Sequence, residues 1–434
     1  MLEAFKKHLD EHLPDLKEKS LLVACSGGLD SVVLVHLCEA CQLDYAIAHC
    51  NFGLRGAESD ADERFVAELS HTLQRPFFVT HFDTLGYVNK HQVSVQMAAR
   101  ALRYHWFSEI LGQQDLEVLL TAHHADDSLE TFIINLSRGS GLEGLTGIPE
   151  RGKALARPLL PFSRDEIQQY AKVCKLAWRD DSSNEESKYL RNKIRMEVVP
   201  RLRELHPAFL ENFLRAQNHL AGSALILQQH REQLTEQIFD QEGGHVRMAV
   251  AALEALIPRE DYLHLLFSAY GFEGGQVAGL LASGSGRFLR SKTHRLIRDR
   301  EHLLLQPWPL EEAGACEFAL GTGSVLSPIR LTMEEVMQMG ERSRHILYVD
   351  KETLNPVLRL RKWQKGDYFY PLGMDGKKKI SKLYKDEKLD MIAKEGQWLL
   401  CSGDDIVWVV GLRADERFKV TDTTNTILKI TWKA

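Results

Sequence analysis

The sequence predicts an α/β protein: a helix-covered parallel sheet over the first two hundred residues, a helical middle domain and a small α+β C-terminal domain. Three observations carry this expectation. Short apolar runs alternate with helical patterns from residue 21 to residue 136. The runs are apolar almost without a break, as strands buried on both faces must be. Glycine or polar clusters follow them where a strand turns into a helix.

Residues 21–25 (LLVAC) form the first expected strand, which ends at Ser26-Gly27-Gly28 and leads into a helical pattern through Leu43. Residues 45–49 are the second strand, followed by a helix over 65–73. Residues 77–80 are the third, with a long helix over 94–111, and 117–121 the fourth, with a helix over about 126–136. In such sheets ligands bind at the carboxyl ends of the strands. That places 26–31, 49–55 and 121–127 on one edge. From 209 to 306 the pattern changes to longer helical stretches, notably 213–238 and 262–270, and predicts a separate, largely helical domain. Pro307-Trp308-Pro309 and the glycine-rich 320–323 punctuate a linker zone. Strand-like runs at 398–401, 406–410 and 426–432 predict a final α+β or β-rich domain. The expected division is 1–208, 209–310 and 345–434, in line with about 150 residues per domain.

Composition narrows the class. With 44% hydrophobic and 26% charged residues among 434, the chain is neither collagen-like nor disordered. No apolar run reaches a membrane span, and the first residues lack a signal-peptide layout. Seven scattered cysteines, an odd number, do not make a disulfide framework, so a reducing cytoplasm is expected. Cys38 and Cys41 form one CxxC within an apolar helical pattern. With no second pair nearby, they read as small buried hydrophobes and not as a zinc or redox site. The net charge of −6 argues against a basic coat over the whole surface. It averages unlike parts: residues 345–434 hold 17 basic and 13 acidic residues, net +4, which leaves −10 on the rest. Within 359–388 ten basic residues face four acidic ones, beside Trp363, Tyr368, Phe369, Tyr370 and Tyr384. A charge run is usually a solvated face, but basic and aromatic residues together suit RNA.

Two constellations carry chemistry. The first is Ser26-Gly27-Gly28-Leu29-Asp30-Ser31, between a strand and a helix. Two glycines let the backbone turn tightly and approach an anion. The helix N-terminus beyond them offers unsatisfied N–H groups to that anion, and Ser26 and Ser31 add hydroxyls. Asp30 is the odd member, since a carboxylate repels phosphate unless Mg²⁺ intervenes. The second runs from Thr121 to Thr131 and contains His123, His124, Asp126, Asp127 and Glu130. On a helix starting near Asp126 the three carboxylates share a face. They could cap the helix, but an acidic nest is also suited to Mg²⁺ or to an ammonium-bearing substrate; no His/Cys quartet for zinc accompanies them.

The first motif resembles the loop of the PP-loop ATP pyrophosphatases, an adenine nucleotide alpha hydrolase-like fold that cleaves ATP to AMP and pyrophosphate. The second, with Gln96-Met97-Ala98-Ala99-Arg100-Ala101-Leu102-Arg103-Tyr104, Arg157-Pro158-Leu159-Leu160, the run 178–184, Tyr189-Leu190-Arg191-Asn192-Lys193-Ile194-Arg195 and Pro200, resembles the tRNA(Ile)-lysidine synthetase family. The resemblance spans most of 20–205. Gly366-Asp367, 371–374, 376–379 and 408–413 resemble that family's C-terminal domain.

The resemblance implies a ligase that uses ATP, with Mg²⁺, to join free L-lysine to C2 of the wobble cytidine in the CAU anticodon of tRNA(Ile), through an adenylated cytidine. Methionine identity would become isoleucine identity, and AUG reading AUA reading. It implies that Ser26, Gly27, Gly28, Leu29, Asp30 and Ser31 hold ATP, Asp30 with Mg²⁺, and that Arg100 supports adenylation. His123, Asp127 and Glu130 would surround the lysine. Arg138, Arg191 and Arg195, and in the C-terminal domain Arg361, Lys377, Lys378, Lys379 and Arg413, would contact tRNA. A monomer or homodimer without membrane attachment is expected. Two departures stand out: Phe52 occupies a position where a histidine is usual, and 388–396 lacks the family's Ile-Pro and downstream arginine. A thiolating relative is disfavoured, because the positions ahead of Arg100 are Val95-Gln96-Met97-Ala98 and hold no cysteine pair. Amidotransferase-linked synthetases would need a glutaminase, for which Met1-Leu2 offers no nucleophile. A nucleotide-binding RNA module without catalysis would gain nothing from Asp30 and the carboxylates at 126–130.

Overall fold

A computed structural model describes residues 1–179, 190–309 and 314–433, so the motif residues 180–184 and Tyr189 lie outside the described residues. The chain divides into two compact units, Met1–Gln229 and His230–Ala434.

The first unit is built on a six-stranded sheet. Helix α1 (Leu2–His12) precedes β1 (Leu21–Ala24), α2 (Leu29–Ala40), β2 (Tyr45–Asn51), α3 (Ala57–Leu73), β3 (Phe77–His81), α4 (Thr84–His91), α5 (Val95–Gln113), β4 (Val118–Leu120), α6 (Ala125–Ser137), α7 (Leu142–Leu145), β5 (Arg151–Gly152), β6 (Leu155–Ala156) and α8 (Arg164–Val173). The spatial order is β3-β2-β1-β4-β6-β5, parallel except for β5 at the edge. Alternating residues of β1 serve opposite faces, as the pleat requires. Leu21 and Val23 pack with α1, α2 and α8, whereas Leu22 packs with Phe107, Ile110 and Leu119. The central strands are thus apolar throughout because both of their faces are core. Helical segments Leu190–Lys193 and Val199–Glu204 flank a π-turn at Ile194–Val198, and the helix Phe209–Ile238 follows.

The second unit holds antiparallel sheets. The middle region has the expected helical content in Val250–Glu254, Arg259–Phe267 and Gly274–Leu281. It also contains a five-stranded sheet between residues 240 and 307, which the sequence reading missed. Its helices and sheet share a core around Leu253, Leu263, Phe267, Val277, Leu296 and Leu303. The C-terminal region pairs a five-stranded and a four-stranded sheet over one core that includes Leu331, Leu358, Leu400, Trp408 and Ile430. Strands Cys316–Ala319, Ser324–Val325 and Arg330–Val336 belong to these sheets, so the zone read as linker is largely structured. Two helices, Ile380–Asp386 and Met391–Gly396, complete an α+β fold. Among the described residues no helix is long and apolar enough to cross a membrane.

Candidate active site

The site is assembled on the carboxyl edge of the first sheet, where β1 and β4 lie side by side. After β1 the chain turns through Gly27 at φ +89°, a conformation that L side chains rarely adopt, and this is the physical need for glycine there. Gly28 is the N-cap of α2. The loop braces itself through Ser31, whose hydroxyl donates to Gly28 O (2.9 Å) and accepts from Ser26 N (3.2 Å). The Ser26 and Ser31 hydroxyls are 3.2 Å apart. Beneath the loop, buried His49 bonds through Nδ1 to Cys25 O (2.9 Å), and Arg179 N donates to Gly27 O (3.0 Å). The free N–H groups at the start of α2 therefore sit in a held loop suited to an anion.

His124 is the centre of the second constellation. It is buried at 2% exposure at the N-cap of α6, where its ring meets three carboxylates. Nε2 is 3.7 Å from Asp30 and 3.4 Å from Asp127, and Nδ1 is 3.6 Å from Asp126. Burial alone would lower its pKa, but the three acids outweigh burial and raise it. Asp127 also closes a capping box by accepting from His124 N (3.0 Å). Asp30 bridges the two motifs. Burial raises its carboxyl, with His124 and Arg164 opposing, and its Oδ1 is buried with no hydrogen-bond partner among the described residues.

His123 behaves oppositely to its neighbour. Burial lowers it to about 4, so it is neutral at pH 7, and its Nδ1 lies 2.9 Å from Thr121 Oγ1. Asp126 is held down to about 2: burial opposes the shift, but His124, Arg164 N (2.9 Å) and Arg203 outweigh it.

The arginines that follow settle on these acids. Glu130, at 1% exposure, accepts from Arg191 Nε (2.7 Å), Arg195 Nε (2.6 Å) and Arg195 Nη2 (3.2 Å). Asp127 accepts from Arg191 Nη2 (2.9 Å), with Arg195 at 3.6 Å. Against the burial that would raise it, Asp127 is lowered by His124 and Arg191.

The fold therefore brings together Ser26 to Ser31, His123, Asp127, Glu130, Arg191 and Arg195, all expected from sequence. Arg100 is exposed on α5, with its guanidinium 4.8 Å from the centre of the Tyr104 ring, and its charge reaches His123. Arg138 is exposed at the C-cap of α6. In the second unit Arg361 is engaged in a two-pronged pair with Asp367 (2.7 and 3.0 Å), Lys378 pairs with Asp386 (2.8 Å), and Arg413 donates to Leu372 O (3.0 Å). Lys377 and Lys379 are exposed, Lys377 lying 5.2 Å from the Tyr368 ring centre. In the departing stretch 388–396, Glu395 pairs with Arg295.

Sequence reasoning missed the roles of His124, Arg164 and Arg203. The spacing of Arg191 and Arg195 at i,i+4 was the available signal for a cationic face turned on the carboxylates. Arg164 and Arg203 are single residues with no such local pattern. Cys38 is fully buried in α2, and burial pushes its thiol up, away from the reactive range.

Comparison with known proteins identifies the family. Residues 1–202 match the family described as PP-loop domain, 241–308 the TilS substrate binding domain and 358–432 the TilS substrate C-terminal domain. A tRNA(Ile)-lysidine synthase of Parabacteroides distasonis is 35% identical over 435 residues, covering 99% of each chain. One of Bacteroides thetaiotaomicron is 37% identical over 430 residues, covering 98% of this chain and 96% of the relative. Among solved structures, the U34-tRNA thiolase NcsA of Methanococcus maripaludis aligns at 18% identity and a TM-score of 0.43, covering 50% of this chain and 77% of its own.

Proposed function

The chain belongs to the tRNA(Ile)-lysidine synthase family, and on that premise we propose that it joins free L-lysine to C2 of the wobble cytidine in the CAU anticodon of tRNA(Ile), converting AUG reading to AUA reading. The observation that carries the proposal is the contact of His124 with both Asp30 and Asp127, which unites a phosphate loop with an amine-binding acidic nest. A carbonyl oxygen on cytosine is a very poor leaving group. In the first half-reaction that oxygen attacks the α-phosphorus of ATP, the bond to pyrophosphate breaks, and the base becomes adenylated. In the second, the side-chain ammonium of lysine gives up a proton to solvent, the resulting amine attacks C2, a C–N bond forms, the C–O bond breaks, AMP leaves and the new nitrogen releases a second proton.

The loop from Ser26 to Ser31 holds the phosphates through backbone N–H groups and two hydroxyls, and Arg100 adds positive charge near the adenylated oxygen. Asp30 fits Mg²⁺: its orphaned, buried Oδ1 is a hard oxygen donor, and Mg²⁺ commonly takes one or two carboxylates plus substrate phosphates. Bound there, Mg²⁺ would neutralise charge on the departing pyrophosphate. Asp127 and Glu130 retain unused lone pairs beside their arginine partners, with which they receive the ammonium groups of lysine. The guanidiniums fix those oxygens in place. His123, neutral at pH 7 with Nδ1 directed to Thr121, keeps Nε2 for the attacking amine. We assign the chemistry to residues 1–208 and tRNA reading to 209–310 and 345–434, the strands between 316 and 336 going with the latter.

Incubation with ATP, Mg²⁺, labelled lysine and tRNA(Ile) transcript tests the reading. Label in the tRNA with stoichiometric AMP and pyrophosphate is expected. ADP as product, or label confined to the protein, overturns it.

A further inference from the structure

The position where the family resemblance leads one to expect a histidine holds Phe52, and the structure gives that residue distinctive surroundings. Phe52 follows β2 directly, on the same carboxyl edge as the phosphate loop that follows β1. Its ring stacks on Phe82, with centroids 5.4 Å apart and an interplanar angle of 26°. Trp106 buttresses Phe82 edge-on at 6.4 Å and 88°. The guanidinium of Arg103 lies 5.2 Å from the centre of the Phe52 ring. The backbone beneath is pinned on both sides, by Phe82 N to Asn51 O (2.9 Å) and Thr84 Oγ1 to Phe52 O (3.1 Å). Arg103 is exposed and makes no hydrogen bond or ion pair among the described residues. One turn earlier on α5 stands Arg100, whose charge reaches His123.

We propose that Phe82, Phe52 and Arg103 form a layered platform on which one unpaired base of the RNA substrate stacks, beside the base that reacts. The proposal rests on the RNA-modifying function argued above and deepens it. Planar π and guanidinium faces are what single-stranded bases stack upon. A column of two rings buttressed by a third and topped by a guanidinium without an ion-pair partner among the described residues, at the ligand edge of the sheet, has the shape and charge for a base. A histidine at this position would offer a smaller ring carrying its own polar atoms. Phenylalanine offers a wider, uncharged face that seats the Arg103 guanidinium, and the outer side of that guanidinium is the surface presented to the base.

The test uses the full chain and an anticodon stem-loop RNA carrying 2-aminopurine at one loop position at a time. Binding of wild type is expected to quench one position. Phe52→Leu keeps apolar bulk and packing but has no π face, and it should weaken RNA binding about tenfold and abolish the quench. Phe52→Trp should restore both. In lysine incorporation, the KM for tRNA should rise in Phe52→Leu while the KM for ATP holds. Wild-type affinity and full quenching in Phe52→Leu would overturn the platform. So would a loss that Phe52→Trp fails to recover, because it would reduce Phe52 to a packing residue. If wild type binds the RNA but incorporates no lysine, the function proposed above fails while the quenching experiment still decides the platform.

Discussion

Glu130 offers the sharpest test of the site's electrostatics. Its side chain is buried in α6 and accepts three hydrogen bonds from Arg191 and Arg195. Breaking a fully buried ion pair by removing one partner costs about 3–5 kcal/mol. The guanidiniums here are 40% and 29% exposed, so they recover part of their hydration. Glu130→Ala should therefore cost about 2–3 kcal/mol, which at roughly 2–4 °C per kcal/mol lowers the transition of the first unit by about 5–10 °C. Glu130→Gln keeps one acceptor and should cost about 1–2 kcal/mol. A double-mutant cycle with Arg195→Ala should show coupling of about 1–3 kcal/mol. In the lysine-transfer half-reaction, losing a charge-assisted bond to the ammonium should raise the KM for lysine about 10- to 100-fold in Glu130→Gln, with adenylation much less affected. Thermal melts and separate half-reaction assays read both effects. A Glu130→Ala protein melting within about 1 °C of wild type, or a cycle without coupling, would refute the reasoning.

Three further outcomes follow from the same geometry. Asp127→Ala should lose lysine transfer while still forming adenylated tRNA, at an added cost of about 1 kcal/mol for the lost helix cap; normal lysine incorporation would sink that role. Replacing Lys377, Lys378 and Lys379 with alanine should weaken tRNA binding and flatten the salt dependence by a slope of at most about 3, with Lys378 giving least because of Asp386. Equal binding across salt would remove the patch from the interface. The adjacent histidines should oppose each other in the pH dependence of unfolding. The lowered pKa of His123 means the unfolded chain binds the extra proton, so stability falls as pH drops from about 6.5 toward 4, by roughly 3 kcal/mol at most. The raised pKa of His124 contributes stability that is present below about 6.5 and lost as pH rises through its folded value. Urea midpoints should lose the acid-side slope in His123→Asn and the alkaline-side slope in His124→Asn; unchanged profiles would contradict both shifts.

The sheet was legible because β1, β2 and β4 are buried on both faces and leave unbroken apolar runs between turn signals. The turn at Ser26 to Ser31 was legible because two glycines between an apolar strand and a helical pattern mark a tight strand-to-helix connection. The middle sheet was not. Strand His294–Asp299 reads HRLIRD, with only Leu296 and Ile297 apolar and a charged residue, Arg295, buried beside them, a pattern too short to separate from a helix. Strands at 316–336 were hidden by flanking glycines and prolines that read as linker. In the site, Asp127 and Glu130 could be placed on one helix face from spacing alone. Their arginine partners lie some sixty residues on, and only the tertiary fold shows that Arg191 and Arg195 grip carboxylates. His124 and His123 are neighbours in sequence, and nothing local tells which ring enters the acids and which faces Thr121.

The grip of residues 190–203 on α6 limits how the first unit can be divided. Asp126, Asp127 and Glu130 draw their cations from Arg191, Arg195 and Arg203, at the far end of the sheet-bearing region. A fragment ending at residue 179 would retain every strand of the first sheet and the turn at Ser26 to Ser31, yet would strip Asp126, Asp127 and Glu130 of their arginine partners and leave His124 as the cationic side chain among them. Such a fragment would fold around an overcharged helix start and should require low pH or high salt to persist. Charge balance, and not the last strand, therefore sets how far the sheet-bearing part of the first unit must extend, and that limit lies at or beyond Arg203.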